Sequence, residues 1–256
     1  MKFYLGTHEP HWVTKLTVPL FLSRRRLARV RVMKRATCDW ALDSGGFTEL
    51  NMHGKWETSP EQYADEALRW QSELGRLDFA AIQDHMCEPK VLHETGLTVR
   101  NHQHLSTESY FRLSDLAPVV PWAPVLQGQH VDEYLQHLQD YVQEGVDFRC
   151  VPVVGVGTMC RRQATREAVE ILQVLALEVA RLGSGLHAFG LKEQGLVNLA
   201  KHGVKLRSAD SMAWSFDARR SRTGPMKGCE HAKCNNCKRY ALWWRERLLK
   251  RVGDAA

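Results

Sequence analysis

One stretch decides the fold: Lys205-Leu206-Arg207-Ser208-Ala209-Asp210-Ser211-Met212-Ala213-Trp214. A short run of residues there ends on an aspartate, which small and polar residues follow. We interpret it as a β-strand that delivers Asp210 to the mouth of a barrel. Similar runs along the chain end in polar or glycine residues, at Asp43-Ser44-Gly45-Gly46, Asp84, Gln127-Gly128, Gly155-Val156-Gly157 and Lys192. Parallel barrels place their functional residues at the carboxyl ends of the strands, so the pattern predicts a (β/α)8 barrel of the TIM type.

Helical patterns separate these strands, with short loops between them. Ser59 and Pro60 are typical of a helix start, Gln62 completes a capping box, and Gly75 marks the end of the same helix. This alternation of strand and helix favours a barrel over a doubly wound sheet. Seven strands are evident from the sequence, and the eighth is not identified.

Composition narrows the class of protein. The chain has 256 residues, 44% hydrophobic and 25% charged, which is ordinary for a soluble enzyme. A net charge of +6 gives a weak indication of a polyanionic partner. No apolar run approaches the roughly 20 residues that span a bilayer, and the N-terminus lacks the apolar region of a signal peptide. We therefore expect a cytoplasmic protein with no membrane partner.

A cysteine cluster near the C-terminus predicts a metal site. Cys229, His231, Cys234 and Cys237 fall within nine residues, and zinc prefers such sulfur and nitrogen ligands in a tetrahedron. Seven cysteines, an odd number with three of them clustered, fit a reducing interior better than a disulfide framework. Four protein ligands would close the site, so we predict structural Zn2+. The fourth ligand stays open, because a distant histidine such as His202 could replace His231.

These features divide the chain into two predicted parts. Residues 1–222 would form the catalytic TIM barrel, and residues 223–256 would form the zinc-binding motif and a basic helix packed on the barrel. Between Arg219 and Arg251 there are eleven Lys or Arg residues against two Glu. Such clusters are either solvated faces or contacts to phosphates. The candidate nucleic-acid contacts are Arg24, Arg25, Arg26, Arg161, Arg219 and Arg220.

An aspartate at a strand end often caps the next helix, so one alone indicates little. Three at separate strand ends, together with Gln127 and two pairs of glycines, favour a catalytic set. The pattern by itself does not say which of the three aspartates would be a nucleophile.

The order of these motifs resembles the tRNA-guanine transglycosylase superfamily along nearly the whole chain. The resemblance depends on Asp43-Ser44-Gly45-Gly46-Phe47, Asp84, Val125-Leu126-Gln127-Gly128, Val154-Gly155-Val156-Gly157, Asp210 and the zinc motif. In detail the chain is most similar to the DNA-guanine transglycosylases of phage and bacterial 7-deazaguanine DNA modification, through Ser208–Ser215 and Val156–Arg162. The chain is much shorter than the tRNA enzymes. No histidine follows Cys237, where the family has its fourth zinc ligand, so the ligand set remains in doubt.

The resemblance implies a pentosyltransferase that replaces guanine in DNA with a 7-deazaguanine base such as preQ0. It implies that Asp210 attacks the sugar C1′ and holds the nucleic acid covalently, while Asp43 acts as general acid and base. A carboxylate is suited to trap an oxocarbenium-like C1′, as in retaining glycosidases. It also implies that Asp84 and Gln127 read the base edge. The remaining implied substrate-binding residues are Ser44, Gly45, Gly46, Gly155, Gly157 and Lys192.

Other functions remain as alternatives. The same exchange could act on tRNA, or the chain could be a catalytically inactive nucleic-acid-binding barrel. A barrel metallohydrolase would need several histidines at strand ends, and these are lacking. His8 and His11 have the spacing H-x-x-H, whereas such hydrolases place H-x-H at the first strand. We expect these two histidines to line a pocket.

Overall fold

The structure is a computed structural model that describes residues 1–159, 162, 165–221 and 224–256. Its strands pair in parallel throughout, in the order β5-β4-β3-β2-β1-β9-β8-β7-β6. They are β1 (Lys2–Thr7), β2 (Leu20–Ser23), β3 (Trp40–Asp43), β4 (Leu77–Ala81), β5 (Trp122–Ala123), β6 (Val125–Leu126), β7 (Val154–Val156), β8 (Leu186–Ala188) and β9 (Ser208–Ser211).

The two end strands of this order, β5 and β6, are one segment interrupted by Pro124. Proline has no N–H to give to a ladder, so the strand is split at this residue. One end of the segment pairs with β4, and the other pairs with β7. The Pro124 carbonyl itself accepts a hydrogen bond from the Gly155 N–H, at 2.8 Å. With β5 and β6 counted as one strand, eight strands close the ring, and the predicted (β/α)8 barrel is confirmed.

The strand that the sequence did not reveal is β2. It lies between β1 and β3, where Leu20 pairs with Leu5 on one side and with Trp40 on the other. Its only sequence signal is the apolar run Leu20–Leu22, between Pro19 and three arginines. Strand β7 also differs from expectation, since it covers Val154–Val156 instead of ending at Val154. Gly155 therefore lies inside a strand and not at its exit.

Helices surround the barrel in the expected alternation. Ser59 begins α3 as predicted, because its hydroxyl accepts a hydrogen bond from the Gln62 N–H at 3.2 Å. The helices are α1 (Arg24–Leu27), α2 (Gly46–His53), α3 (Pro60–Leu74), α4 (Pro89–Thr95), α5 (Val99–Leu116), α6 (Val131–Gln143), α7 (Arg166–Arg181), α8 (Glu193–Lys201), α9 (Ala213–Arg220) and α10 (Lys238–Gly253). No helix in the described part of the chain is both long enough and apolar enough to cross a membrane.

Apolar side chains fill the barrel and the layer between barrel and helices. The interior of the barrel is aromatic, with Tyr4, Phe21, Phe79 and the partly buried Phe189 packed together. The outer layer includes α10, whose Trp244 is fully buried and donates its indole N–H to Asp217 of α9 at 3.0 Å. Burial of this apolar face holds the C-terminal helix on the barrel.

Candidate active site

A cavity of about 590 Å³ opens at the carboxyl ends of the strands. Asp43 enters it from the end of β3, Asp84 from the segment after β4, and Asp210 from β9. Gln127, directly after β6, also lines it. The residues predicted to converge therefore share one hollow. Its volume lies in the usual range for a small-molecule site, about 300–1,000 Å³.

Asp210 is buried at the end of β9, with 6% of its surface exposed. Its Oδ1 accepts a hydrogen bond from the Gly190 N–H at 2.9 Å and lies 3.3 Å from Nε2 of His187. Two contacts to one oxygen fix the orientation of the carboxylate toward the cavity. His187 was not predicted as a site residue.

Asp43 is held by the turn that follows β3. Its Oδ1 accepts a hydrogen bond from the Gly45 N–H at 3.1 Å, and Gly45 has a left-handed φ of 87° that favours glycine. Burial raises the pKa of Asp43 to about 6, and the nearby charge of Asp210 adds to the rise, while hydrogen bonds from Gly45 and Ser23 oppose it. A carboxyl group with this pKa can give and take a proton near neutral pH.

Asp84 and Gln127 form one hydrogen-bonded unit with Thr158. The Gln127 Nε2 donates to Asp84 Oδ2, and the Thr158 hydroxyl donates to Gln127 Oε1 at 2.6 Å. Since Thr158 Oγ1 already accepts from the Cys87 N–H at 3.0 Å, its own hydrogen goes to Gln127, which fixes the amide orientation. Burial raises the pKa of Asp84 to about 7, helped by the charges of Glu88 and Asp43 and opposed by the Gln127 bond.

Thr158 occupies an unusual backbone conformation, with a φ of 56°. A positive φ strains a β-branched residue, and such strain is commonly found at functional sites. Here it places the hydroxyl between Cys87 and Gln127. Thr158 lines the cavity and was missed by sequence reasoning, which had no signal for it beyond its place after Gly157.

The backbone of Gln127 is held from both sides by buried polar residues. Its N–H donates to Nδ1 of His137 at 2.9 Å, and its carbonyl accepts from Nε2 of Gln103 at 2.8 Å. Burial lowers the pKa of His137 to about 4, so the ring is neutral and Nδ1 can accept. His137 and Gln103 are fully buried. The sequence signal that could have found them is a polar residue on the buried face of α5 or α6.

The predicted glycines have different surroundings. Gly157 lines the cavity and lies so close to the Gln127 amide that an added Cβ would overlap it. Gly155 instead lies under Phe189, whose ring would be 2.5 Å from an added Cβ. Ser44 and Gly46 line the cavity as well. Lys192 is the exposed N-cap residue of α8 and is not among the residues that line the cavity.

Apolar side chains complete the walls, and none of them was predicted as a site residue. Phe47 is 47% exposed at the mouth, and Phe189 lies deeper. Such rings offer flat surface to a purine. His8 lines the cavity as expected, and burial together with Arg26 and Arg219 lowers its pKa. His11 is not among the lining residues.

The rim of the cavity is basic. Arg25 and Arg26 line it as predicted, and Arg29 of the same basic stretch joins them. Arg219 and Arg220 are exposed at the end of α9 and are not among the residues that line the cavity. The predicted contact Arg161 lies outside the described residues.

Arg24 is a correction to the predicted nucleic-acid contacts. Its guanidinium is buried and bonds to Glu66 at 2.6 Å, to Glu49 at 3.1 Å and to Thr58 at 2.5 Å. A charged group that is buried and fully paired cannot also reach a phosphate. The reason is geometric, since α1 turns the first arginine inward against α2 and α3 while Arg25 and Arg26 face the mouth.

The cysteine cluster has the geometry of a metal site. Ligand atoms of Cys229, His231, Cys234 and Cys237 all lie within 4.8 Å of one another. The Sγ atoms of Cys229 and Cys237 are 3.8 Å apart, and His231 Nε2 is 3.1 Å from Cys234 Sγ. Tetrahedral zinc with Zn–S bonds of about 2.3 Å would separate two sulfurs by about 3.8 Å. The cluster contains His231, while His202 bonds to the Asn198 carbonyl.

The metal cluster lies apart from the cavity, since none of its four residues lines it. It is tied instead to α9 and α10. The Ser215 hydroxyl donates to the Asn235 carbonyl at 2.7 Å, and Cys237 is the N-cap residue directly before α10.

Comparison with known proteins now identifies the family. A search of curated proteins gives no match. A family model described as DpdA, DeoxyPurine in DNA protein A, matches residues 1–256, which is the whole chain. The chain therefore belongs to the DpdA family, the DNA-guanine transglycosylase branch that its sequence resembles, and this family implies guanine exchange in the 7-deazaguanine modification of DNA.

Proposed function

We propose that this chain replaces guanine in DNA with a preQ0-like 7-deazaguanine, through a covalent bond between Asp210 and the sugar C1′. The main supporting observation is that Asp43 and Asp210, from two different strands, face one cavity of about 590 Å³. One carboxylate can bond to the sugar while the other handles the proton, which is the division of labour in retaining glycoside chemistry.

In the first half of the exchange, an Asp210 oxygen bonds to C1′ as the bond from C1′ to the guanine nitrogen breaks. The departing guanine takes its proton from Asp43. With a pKa of about 6, Asp43 carries this proton in roughly a tenth of the molecules at pH 7, enough for a general acid.

In the second half, the incoming base repeats these events in reverse. Asp43, now ionised, takes the proton from the ring nitrogen of the 7-deazaguanine as that nitrogen bonds to C1′. The bond between C1′ and Asp210 breaks, and its electron pair returns to the carboxylate. Both aspartates end in their starting states, and no co-reactant is needed.

The base would be read by Asp84 and Gln127. The N–H and amine edge of guanine offers donors, which carboxylate and amide oxygens accept. Thr158, His137 and Gln103 hold this pair in place through the bonds described above. Because 7-deazaguanine keeps the same N–H and amine edge, Asp84 and Gln127 can bind both the leaving and the incoming base.

DNA would bind across the basic rim. Arg25, Arg26 and Arg29 line the mouth, where they can contact phosphates without reading sequence. A guanine in a duplex must leave the stack to reach the aspartates, so the target nucleotide would be flipped into the cavity. Phe47 and Phe189 would then face its ring.

Zn2+ would be held by Cys229, His231, Cys234 and Cys237, whose sulfur and nitrogen atoms fit a tetrahedral site. When bound, the ion supplies a structural cross-link, since protein ligands fill all four positions. We propose residues 223–256 as this zinc-binding motif with its helix. The predicted boundary at residue 222 lies outside the described residues.

Guanine release tests the function directly. Duplex DNA and tRNA, each labelled in guanine, are incubated in parallel with the enzyme and preQ0, using wild type and Asp210→Asn. We expect release from DNA by the wild type only, and a trapped protein–DNA adduct that maps to Asp210. Release from tRNA alone would overturn the choice of substrate, and an adduct on another residue would overturn the choice of nucleophile. DNA binding without release by the wild type would indicate an inactive binding barrel.

A further inference from the structure

We propose that His187 is a positioning residue for Asp210, held at its other ring nitrogen by Ser208. The inference rests on the proposed role of Asp210 as the nucleophile. His187 lies in β8 and is completely buried, so a polar ring occupies the aromatic interior of the barrel. Both ring nitrogens have partners there, Ser208 Oγ at 2.9 Å from Nδ1 and Asp210 Oδ1 at 3.3 Å from Nε2.

The strand register explains why one histidine contacts both residues. His187 of β8 pairs directly with Ser208 of β9. Side chains two residues apart in a strand point to the same face, so Ser208 and Asp210 both point into the barrel. The imidazole bridges them along the strand direction, with Ser208 on the side of the barrel base and Asp210 on the side of the cavity.

The chemistry of the partners sets the tautomer. An ionised carboxylate only accepts hydrogen bonds, so Nε2 must carry the hydrogen that points to Asp210. In a neutral imidazole Nδ1 is then an acceptor, and the Ser208 hydroxyl supplies the matching hydrogen. The carboxylate therefore selects the form of the ring that donates to Asp210, and the Ser208 hydroxyl, which can donate or accept, holds the ring by its other nitrogen.

Packing fixes the ring itself. The ring centroids of Phe79 and Phe189 lie 4.9 and 4.7 Å from that of His187, and Tyr4 and Phe21 lie at 5.9 and 5.5 Å. A ring enclosed in this way cannot swing aside without displacing the barrel core. Its N–H is thus a rigid donor and not a mobile one.

The consequence concerns the direction of attack. Asp210 Oδ1 receives the His187 N–H and the Gly190 N–H together, so the carboxylate cannot rotate freely. Attack at C1′ depends on such alignment, and a misplacement of about 1 Å can cost about 100-fold in rate. The same two bonds stabilise the carboxylate when it departs from C1′ in the second half-reaction.

Single-turnover formation of the Asp210–DNA adduct tests the proposal. His187→Leu removes the donor with little change in volume, whereas His187→Gln keeps a side-chain N–H near the place of Nε2. We expect adduct formation to fall about 100-fold in His187→Leu and no more than about 10-fold in His187→Gln, with DNA affinity within about twofold of wild type in both. Phe79→Leu is the packing control, since it loosens the same cage and leaves every hydrogen bond; it should stay within about threefold.

Equal losses in His187→Leu, His187→Gln and Phe79→Leu would mean that the histidine only fills space, and a wild-type rate in His187→Leu would also overturn the proposal. If the wild type forms no adduct, or forms it elsewhere, the proposed function fails instead. A second measurement needs no variant to be active. The 15N spectrum of the wild type, with the His187 signals assigned by their absence from His187→Gln, should show a hydrogen on Nε2; an Nε2 without hydrogen would refute the assignment of His187 as a donor to Asp210.

Discussion

Replacement of Gly157 by alanine should disable base reading while the barrel remains folded. A Cβ at this position would overlap Nε2 of Gln127 and would lie 2.7 Å from its Cδ and 2.9 Å from its Oε1, closer than non-bonded atoms approach a Cβ. Gln127 cannot easily yield, since it is fully buried and its amide bonds to Asp84 and Thr158. Its backbone is equally fixed, by His137 and Gln103. The alanine must therefore expel the amide from its place.

The magnitude follows from the bonds that would break. Two hydrogen bonds of Gln127 would be lost, each with a net value of about 1 kcal/mol, and Asp84 or Thr158 would be left buried without its partner at a cost of about 1 kcal/mol, the low end of the usual range. A total of about 3 kcal/mol corresponds to roughly 100-fold in affinity for the base. The same loss would lower the thermal midpoint by about 6–12 °C, at 2–4 °C for each kcal/mol.

Steady-state exchange with preQ0 as the varied substrate measures this effect. We expect KM for the base to rise about 100-fold in Gly157→Ala, with DNA affinity unchanged. Gly253→Ala is the matched control, because it lies in α10 and a Cβ there meets no atom within 4 Å. If Gly157→Ala kept the wild-type KM and thermal midpoint, the proposed packing of Gly157 on Gln127 would be refuted.

The remaining predictions concern protons, phosphates and metal. Adduct formation should fall tenfold per pH unit above about 6, where Asp43 loses the proton that guanine needs, and stopped-time gel assays from pH 5 to 8 measure this fall. In Asp43→Asn the remaining adduct formation should be slow and independent of pH over this range. The same raised pKa means that the contribution of Asp43 to folding stability is fully present below the ordinary pKa of 3.8 and is lost as pH rises through about 6, so Asp43→Asn should raise the thermal midpoint at pH 8. Arg26→Ala should reduce the slope of log K for DNA binding against log salt by about one unit. Arg24→Met should leave that slope unchanged and lower the free energy of unfolding by about 3–5 kcal/mol, because Glu49 and Glu66 lose their partner. Equal slopes for both variants would contradict the assignment. A strong chelator, or Cys234→Ala, should remove about one equivalent of zinc and lower the melting temperature, as metal analysis with calorimetry would record; an unchanged melting temperature would exclude a structural metal.

The sequence by itself determined the features that depend on neighbours along the chain. Four potential metal ligands within nine residues can meet without help from the rest of the fold, and they do. Ser59 begins its helix through a bond to Gln62, three residues away. The barrel was predictable for a related reason, because polar residues after short apolar strands repeat locally and parallel strands bring all their carboxyl ends to one edge. Asp43, Asp84 and Asp210 therefore meet as expected.

Only the tertiary structure decided the features that depend on distant partners. Arg24, Arg25 and Arg26 are equivalent in sequence, yet one is buried on Glu49 and Glu66 while the other two line the cavity, because a helix points neighbouring side chains in different directions. Strand β2 is four residues long and is identified only by its pairing with β1 and β3. Nothing in the sequence distinguishes His187, His137 and Gln103 as functional residues. They become part of the site only because strands and helices far apart along the chain place Asp210 and Gln127 within hydrogen-bond distance.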